Sequence, residues 1–215
     1  GTDTGTDSAG SIVISNTVPV LASASISPDP AFEADTLTCN PGEITDVDGT
    51  TSFTYTYSWT VDGVDVGVTD ATLTGTDFDR DQDVICSATP SDGEDDGDSV
   101  DSEPLTISNT APSVSDVLIS PDPAYADDTL SCGWTFADDD SDDDASTATW
   151  SVDGSEVGTG VTLTGEFLGG QEVTCWVTPD DGTDTGEVTS SSLTITNTPP
   201  VLTSVSLTPE EAYES

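Results

Sequence analysis

Carboxylates are the residues of this chain whose type and spacing could do chemistry, and they cluster in short segments between apolar runs. The chain of 215 residues carries 43 Asp and Glu residues and one basic residue, Arg80, with no Lys or His. Carboxylate and backbone oxygens on flexible loops are the ligands that Ca²⁺ prefers in proteins. We therefore predict Ca²⁺ as a cofactor, with the following candidate ligands: Asp46, Asp48, Asp92, Asp95, Asp138, Asp139, Asp140, Asp142, Asp180, Asp181 and Asp184.

The densest acidic cluster spans residues 138–144, where every residue except Ser141 is Asp. These side chains lie within one Debye length, about 8 Å at physiological salt, so they repel one another unless cations bind. A solvated acidic surface, as in salt-adapted proteins, explains the same residues without a specific ion. None of the acidic segments has the spacing of an EF-hand loop. Both interpretations remain open from the sequence.

The charge balance excludes several classes of function. With a formal net charge of −42, the chain cannot neutralise phosphates, so nucleic-acid binding is excluded. An anionic membrane surface would repel it, and no apolar run approaches the ~18–20 residues of a membrane span, so we predict no membrane insertion. Without His or Lys, the usual general bases and nucleophile activators are missing. We therefore predict that the protein is not an enzyme.

A recurring passage organises the chain. The pattern Asn-Thr-x-Pro begins at Asn16, Asn109 and Asn197, at intervals of roughly 90 residues, which is the size of a small domain. We predict complete domains at 18–110 and 111–198. Residues 1–17 are predicted as the last strand of a preceding domain and 199–215 as the first strand of a following one. These end strands belong either to one long covalent array or to separate subunits that complement each other by strand addition.

The cysteines fall two to each repeat, Cys39 and Cys86 in the first and Cys132 and Cys175 in the second. Four cysteines allow three pairings, and only Cys39–Cys86 with Cys132–Cys175 keeps each repeat self-contained. Four free buried thiols are the remaining alternative. Persistent disulfides imply an oxidising compartment, so we predict that the protein is extracellular or on a cell surface.

Alternating apolar and polar residues predict short β-strands throughout, with no amphipathic helix. Asp62-Gly63 and Asp153-Gly154 lie between such segments, which is typical of type I′ hairpins. Several short strands at this spacing favour a Greek-key sandwich. In the first repeat the predicted strands are 20–27, 36–40, 53–61, 64–67, 71–75, 83–89 and 99–108.

The pattern Cys–Trp–Cys carries a resemblance to a known group of proteins. Trp59 lies between Cys39 and Cys86, and Trp150 lies between Cys132 and Cys175, as in immunoglobulin-like domains. Together with the segment Tyr57-Ser58-Trp59-Thr60-Val61-Asp62-Gly63 and the closing Ile-Ser-Asn-Thr-Ala-Pro, this resembles the tandem Ig-like and cadherin-like repeats of very large bacterial surface or filament proteins.

The resemblance implies an all-β chain of tandem Ig-like Greek-key β-sandwich domains in a linear array. It implies that Trp59 and Trp150 are core residues packed on the disulfides. It also implies that the B–C and F–G loops meet at one pole of each domain, which would bring 138–144 close to 180–184, near the junction with the preceding domain. In cadherin-like arrays, ions bound at such junctions stiffen the rod. Val84 and Val173 occupy the tyrosine-corner position, so these are not antibody-type domains.

Aromatic side chains at two places have alternative interpretations. In residues 53–61 an aromatic row projects to one face; we predict core, with a sugar-stacking platform as the alternative. In the second repeat, which lacks this row, Trp134 and Phe136 lie on the same side of their strand as Cys132. We expect them to fill the corresponding part of the core. Trp176 follows Cys175 directly and is predicted to face outward, either as a contact with another chain or domain or covered by its own neighbouring loop.

These observations predict a structural extracellular rod or filament of disulfide-locked, calcium-stiffened Ig-like repeats. The expected partners are neighbouring repeats or copies of the same chain. The alternative is an adhesin stalk whose domains bind a surface ligand or glycan, with Trp176 and the acidic loops as contact candidates.

Overall fold

The computed structural model describes residues 13–206, which form eighteen β-strands and no helix. Contacts between Cα atoms divide the chain into two units, Gly1–Thr110 and Ala111–Ser215. Of the predicted end strands, 1–12 and 207–215 lie outside the described residues, and the described parts, 13–17 and 199–206, contain no strand. In the described part of the chain, no helix is long and apolar enough to span a membrane.

Unit 1 is a β-sandwich. Its strands are β1 Val20–Leu21, β2 Ala24–Ser27, β3 Ala31–Phe32, β4 Thr36–Pro41, β5 Ile44–Thr45, β6 Thr54–Val61, β7 Val64–Asp65, β8 Thr72–Thr74, β9 Asp83–Ser91, β10 Val100–Asp101 and β11 Leu105–Ser108. One sheet has the order β2-β4-β8, and the other has the order β3-β11-β9-β6-β7 with β10 also paired to β9, while β1 and β5 form a small separate ladder.

Unit 2 is a second sandwich, and its strands are less interrupted. They are β12 Ser113–Ser120, β13 Thr129–Ala137, β14 Thr147–Val152, β15 Ser155–Thr159, β16 Thr162–Thr164, β17 Glu172–Thr178 and β18 Thr189–Thr194. The sheets have the orders β12-β13-β16 and β15-β14-β17-β18, and all of their strand pairs are antiparallel. The predicted fold class, all-β with tandem Ig-like sandwiches, is confirmed.

Two predicted strands of unit 1 are each divided in two. Residues 20–27 break after Leu21 because the chain changes partners, from β5 to β4. Residues 99–108 break at Ser102–Pro104, where Ser102 Oγ accepts a hydrogen bond from the amide of Cys86 at 3.1 Å. Pro104 has no N–H to donate to a ladder. The short strands β3 and β5 were not predicted, since two-residue strands leave no periodic signal.

Each core is built around a disulfide that joins the two sheets. Cys39 on β4 bonds Cys86 on β9, and Cys132 on β13 bonds Cys175 on β17, with Cα–Cα distances of 6.0 and 6.3 Å. The predicted pairing is confirmed, and it uses all four cysteines of the chain.

A tryptophan lies beside each disulfide. Trp59 pairs across the sheet with Cys86, and Trp150 pairs with Cys175. Both indoles are fully buried, and their N–H groups donate to the carbonyls of Asp70 at 2.9 Å and Gly160 at 2.7 Å. Burial of such a large ring therefore leaves no unsatisfied donor.

The aromatic row on β6 changes in character along its length. Trp59 and Val61 are buried, whereas Tyr55 and Tyr57 only pack partly against the core, with ring centroids 6.3 Å apart. Burial, and then the neighbouring Tyr55, raises the pKa of Tyr57. Phe53 at the far end is half-buried. The row is core at its Trp59 end and partly exposed at its Phe53 end.

The two Asp-Gly hairpins have the predicted geometry. Asp62 and Gly63 have φ values of 49° and 76°, and Asp153 and Gly154 have φ values of 48° and 78°. Type I′ turns require positive φ at both central residues. Each hairpin joins the strand that carries the buried Trp to the next strand along the chain.

Candidate cation site

The two longest acidic loops of unit 2 leave its sheet at the same end. The loop 138–146 enters β14 at Thr147, which pairs with Thr178, the residue that precedes the loop 179–188. We call these two loops the acidic pole of unit 2. The amide of Ala145 donates to the carbonyl of Asp180 at 2.8 Å, which ties one loop to the other.

Three carboxylates converge at this acidic pole. One oxygen each of Asp138, Asp142 and Asp181 lies within 4.8 Å of the others, and this is the one such group among residues 13–206. Asp181 is 9% exposed, and the other two are half-buried. Like charges this close repel one another strongly in a partly buried setting, so the arrangement favours a bound cation.

The backbone of the first loop positions Asp138. Its Oδ1 accepts hydrogen bonds from the amides of Asp140 at 2.9 Å and Asp142 at 3.1 Å, and Ser141 has a positive φ of 63°. Its Oδ2 is buried and has no hydrogen-bond partner. A buried acceptor without a donor costs about 1–3 kcal/mol. A cation at this point would satisfy it.

An Asp-Gly turn positions Asp181 in the second loop. Its Oδ1 accepts from the amides of Thr183 and Asp184, both at 2.6 Å, around Gly182 with a φ of 88°. Further along the loop, a Cβ on Gly186 would lie 1.8 Å from the carbonyl oxygen of Pro112. Only glycine fits there, because backbone atoms cannot yield at that distance.

Unit 1 repeats the same two loops, and residues 46–53 and 92–99 form its acidic pole. Asp46 Oδ1 accepts from the amide of Asp48 at 2.7 Å, and Asp46 Oδ2 is buried without a partner, as in Asp138. Asp92 Oδ1 accepts from the amides of Glu94 and Asp95, both at 2.8 Å. The local geometry of both acidic poles is therefore a property of the repeat.

Carboxylates at the acidic pole of unit 1 accept hydrogen bonds from the segment that precedes β1. Asn16 Nδ2 donates to Oδ2 of Asp92 at 2.8 Å and of Asp95 at 3.1 Å, and the amide of Thr17 donates to Asp48 Oδ2 at 2.6 Å. These bonds hold the Asn-Thr segment that enters unit 1 against its acidic pole. The sequence pattern Asn-Thr-x-Pro marked this segment, but not its carboxylate partners.

Hydrogen bonds stabilise the charged form of two carboxylates. The backbone of Asp95, the Asn16 side chain and the backbone of Glu94 hold the pKa of Asp92 below its ordinary value. Desolvation raises the pKa of Asp144. Hydrogen bonds from the Ser146 hydroxyl and amide and from the Trp134 indole lower this pKa by more, so the net shift is downward. Trp134 Nε1 donates to Asp144 at 3.0 Å. Asp144 was not among the predicted ligands, although it lies in the same loop.

The remaining predicted ligands of unit 2 lie outside the three-carboxylate group. Asp139 and Asp184 are exposed, and Asp140 is half-buried. Asp180 Oδ1 accepts from the amide of Gly182 at 2.7 Å and so stabilises its own turn. The sequence predicted the two loops whose carboxylates converge, but it could not separate the converging carboxylates from their neighbours.

Trp176 lies on the outer face of a sheet and not in one of the acidic loops. It is 45% exposed, and its indole Nε1 donates to Ser151 Oγ on the neighbouring strand at 3.2 Å. The side chain therefore rests on its own sheet and keeps a large exposed area.

Comparison with known proteins yields structural likenesses only. No family model and no curated protein matches the chain. It is similar to the three N-terminal domains of the highly immunogenic outer capsid protein (Hoc) of bacteriophage RB49, with 20% identity over 81% of this chain and 59% of that one and a TM-score of 0.35.

Two chicken structures match with similar TM-scores and lower identities. The FN1–FN3 domains of chicken CNTN1 match with 11% identity over 84% of this chain and 65% of that one, with a TM-score of 0.35. A two-domain fibronectin type-III segment of chicken tenascin matches with 14% identity over 80% and 97%, with a TM-score of 0.37. The chain thus spans less than two thirds of the phage and CNTN1 structures.

Proposed function

We propose that this chain is a structural part of an extracellular rod or filament, built of disulfide-locked Ig-like domains whose acidic poles bind Ca²⁺. The observation that carries the proposal is the acidic pole itself. Both units hold an Asp with a buried, unpartnered Oδ2, at Asp46 and Asp138. In unit 2 that Asp belongs to a group of three converging carboxylates.

The ligand chemistry favours Ca²⁺ over smaller ions. Ca²⁺ accepts about 6–8 oxygen ligands in a flexible geometry, whereas Mg²⁺ requires a near-ideal octahedron and keeps several of its waters. The converging loop carboxylates of Asp138, Asp142 and Asp181 suit the flexible shell of Ca²⁺, with backbone carbonyls and water completing it. Zn²⁺ prefers thiolate and imidazole ligands. This chain has no His, and all of its cysteines form disulfides, so it offers neither ligand.

The bonds of unit 1 support a mechanical role for the acidic pole. Its carboxylates hold Asn16 and Thr17, the segment that enters the unit. A cation bound among the same loops would neutralise their repulsion and make this attachment more rigid. We propose that ion binding stiffens the array in this way.

The disulfides support an extracellular location. They close loops of 47 and 43 residues, and in the chain-entropy model each adds roughly 4 kcal/mol to the free energy of unfolding. Such bonds persist in oxidising compartments. The composition is also suited to a non-catalytic role, because the chain has no His or Lys and no free Cys, and so lacks the commonest general base and the usual activators of nucleophiles.

A calcium titration of the whole chain tests the proposal. At matched ionic strength, Ca²⁺ should raise the Tm relative to chelator, whereas Na⁺ and Mg²⁺ should not. Trp134 reports on the site directly, since its indole bonds Asp144 in the same loop, so its fluorescence should change with the same apparent Kd.

Paired variants separate a specific site from general acidity. Asp138→Asn should abolish the calcium-dependent rise in the stability of unit 2, whereas Asp143→Asn removes the same charge from an exposed position of the same loop and should leave that rise intact. An unchanged melt in chelator, or equal effects of the two variants, would overturn the calcium proposal.

A further inference from the structure

The outer face of strands β14, β17 and β18 in unit 2 is unlike the rest of this acidic molecule. In these strands Trp150, Val173 and Val177 point into the core, so the alternate residues point outward. The outward residues nearest Trp176 include Thr147, Thr149, Thr178, Ser190 and Ser192, which are uncharged. Carboxylates lie only at the edge of the face, on Glu172 at the start of β17 and on Glu156 of β15, which pairs with Ser151. In a chain of net charge −42, the centre of this face presents hydroxyl groups and a single indole.

The indole of Trp176 lies along this face. Trp176 pairs with Thr149 on β14, and its N–H reaches Ser151, two residues further along that strand. Ser151 is only 8% exposed although it points outward, because the indole covers it. With its edge donor satisfied against the sheet, the ring is 45% exposed to solvent.

We propose that this hydroxyl-and-indole face binds an uncharged carbohydrate, whose pyranose ring stacks on Trp176. The C–H side of a sugar ring carries partial positive charge, and the face of an indole carries the negative lobe of its quadrupole. Ser and Thr hydroxyls each donate and accept hydrogen bonds, which matches the hydroxyls around the rim of a sugar. An anionic sugar would be repelled by the field of the whole chain.

The size of the face favours a small ligand over a protein. Three strands about 4.8 Å apart and some four residues long cover on the order of 200–300 Å². A stable protein interface needs about 800 Å² on each partner. A second copy of the chain would also bring its own large negative charge. A few sugar units fit the area and add no charge.

Unit 1 provides a natural control at the same sheet positions. Ser87 stands where unit 2 has Trp176, and it pairs with Asp101, where unit 2 has Ser190. Ser87 Oγ donates to Asp101 Oδ1 at 2.5 Å. The position equivalent to Trp176 in unit 1 therefore has no ring and lies beside a carboxylate, so only unit 2 should bind.

The test uses the full chain with four neutral hexasaccharides as probes: β-1,4-glucose, β-1,4-mannose, β-1,4-N-acetylglucosamine and α-1,4-glucose. A polygalacturonate hexamer is the anionic comparison. Binding is measured by calorimetry and by the shift of the Trp176 indole N–H resonance, in Ca²⁺ and in chelator. At least one neutral probe should bind with a Kd of at most about 10 mM, and the anionic probe should bind more weakly.

Variants taken from unit 1 sharpen the result. Trp176→Ser should weaken binding by at least about tenfold and Ser190→Asp by at least about threefold, with unchanged circular dichroism. Ser87→Ala should have no effect, and Trp176→Phe should restore part of the affinity lost in Trp176→Ser.

Three outcomes would overturn the inference. They are no binding of any neutral probe up to about 10 mM, binding that Trp176→Ser leaves intact, and sedimentation showing self-association that Trp176→Ser abolishes. Binding should persist in chelator, because the face contains none of the proposed calcium ligands. Failure of the calcium proposal therefore leaves this inference standing.

Discussion

The two units of this chain share one frame and differ in what that frame carries. Both have a disulfide between the sheets, a buried Trp beside it, an Asp-Gly hairpin and an acidic pole with one buried, unpartnered carboxylate oxygen. These features stabilise the sandwich and position its loops. The differences that concern the two proposed ligands lie at surface positions, where substitution does not disturb the core.

Three positions distinguish the two units at their acidic poles and on their outer faces. Four residues after Asp46 stands Thr50, whereas four residues after Asp138 stands Asp142, the third member of the carboxylate group. On the outer face, Ser87 and Asp101 of unit 1 correspond to Trp176 and Ser190 of unit 2. At these three positions, unit 2 therefore gains a carboxylate at the pole and loses one from the face, so it is better suited to both proposed ligands.

A fourth difference lies at the other end of the units. Gln82 accepts from the amide of Asp79, and Gln171 accepts in the same way from Leu168, so Arg80 corresponds to Gly169. Arg80, the sole basic residue, donates to Asn109 Oδ1 at 2.5 Å. At Gly169, a Cβ would lie 3.2 Å from Asn197 Cα. One Asn is held by a charged hydrogen bond and the other by close backbone packing.

Removing the disulfides tests whether the shared frame is equally important in both units. Cys39→Ala with Cys86→Ala, and Cys132→Ala with Cys175→Ala, should each lower the free energy of unfolding by about 2–5 kcal/mol. Because the closed loops are of similar length, 47 and 43 residues, the two losses should be similar. Urea denaturation monitored by circular dichroism measures them, and strongly unequal losses would show that the frames are not equivalent.

Exchanging the third carboxylate tests the difference between the acidic poles. Asp142→Thr should remove most of the calcium-dependent stability of unit 2, which amounts to about 2.7 kcal/mol at a calcium concentration of 100 times Kd. Thr50→Asp should tighten calcium binding at the acidic pole of unit 1 and increase the calcium-dependent stability of that unit. Calorimetric titration counts the sites, and Ser52→Asp, at an exposed position of the same loop, is the charge-matched control. A gain of equal size in Thr50→Asp and Ser52→Asp would refute the assignment.

Replacing Arg80 by the residue of unit 2 tests the difference at the other end. Arg80→Gly should lower the free energy of unfolding of unit 1 by about 1–2 kcal/mol, since hydrogen bonds to charged groups contribute about 1.5–3 kcal/mol when well buried and this side chain is 25% exposed. The bridge to Asp81, which is 84% exposed, should contribute little. Asp81→Asn is therefore the control, and a larger loss in that variant would contradict the account.

The pH dependence is the smallest expected effect. The folded pKa of Asp92 lies below its ordinary value of 3.8, so its hydrogen bonds stabilise unit 1 above that pH and are lost as pH falls through the folded pKa. Asp92→Asn, compared with the wild type in chelator, should destabilise unit 1 at pH 7 and have a smaller effect near pH 2. Urea melts at both pH values measure the difference. If Asp92→Asn destabilised unit 1 equally at both pH values, a contribution from the charged carboxylate of Asp92 would be excluded.

Sequence patterns were most informative where a local rule applies. The hairpins followed from Asp-Gly, the strands from alternation, and the disulfide pairing from the requirement that each repeat be self-contained. Breaks within strands were not visible, because a change of partner between β1 and β2 leaves the alternation intact. Nor was the decline in burial from Trp59 to Phe53 visible, since parity assigns a face but does not say how far the opposite sheet extends over it.

The amino-acid sequence by itself determined that this protein is a disulfide-locked, extremely acidic array of sandwich domains with carboxylates in its loops. Only the tertiary structure decided which carboxylates meet, which oxygens are buried without partners, and that the indole of Trp176 lies on its own sheet. The physical reason is distance along the chain. Hairpins depend on adjacent residues, whereas Asp138 and Asp181 come together only because the pairing of β14 with β17 brings their loops to the same end of the sheet.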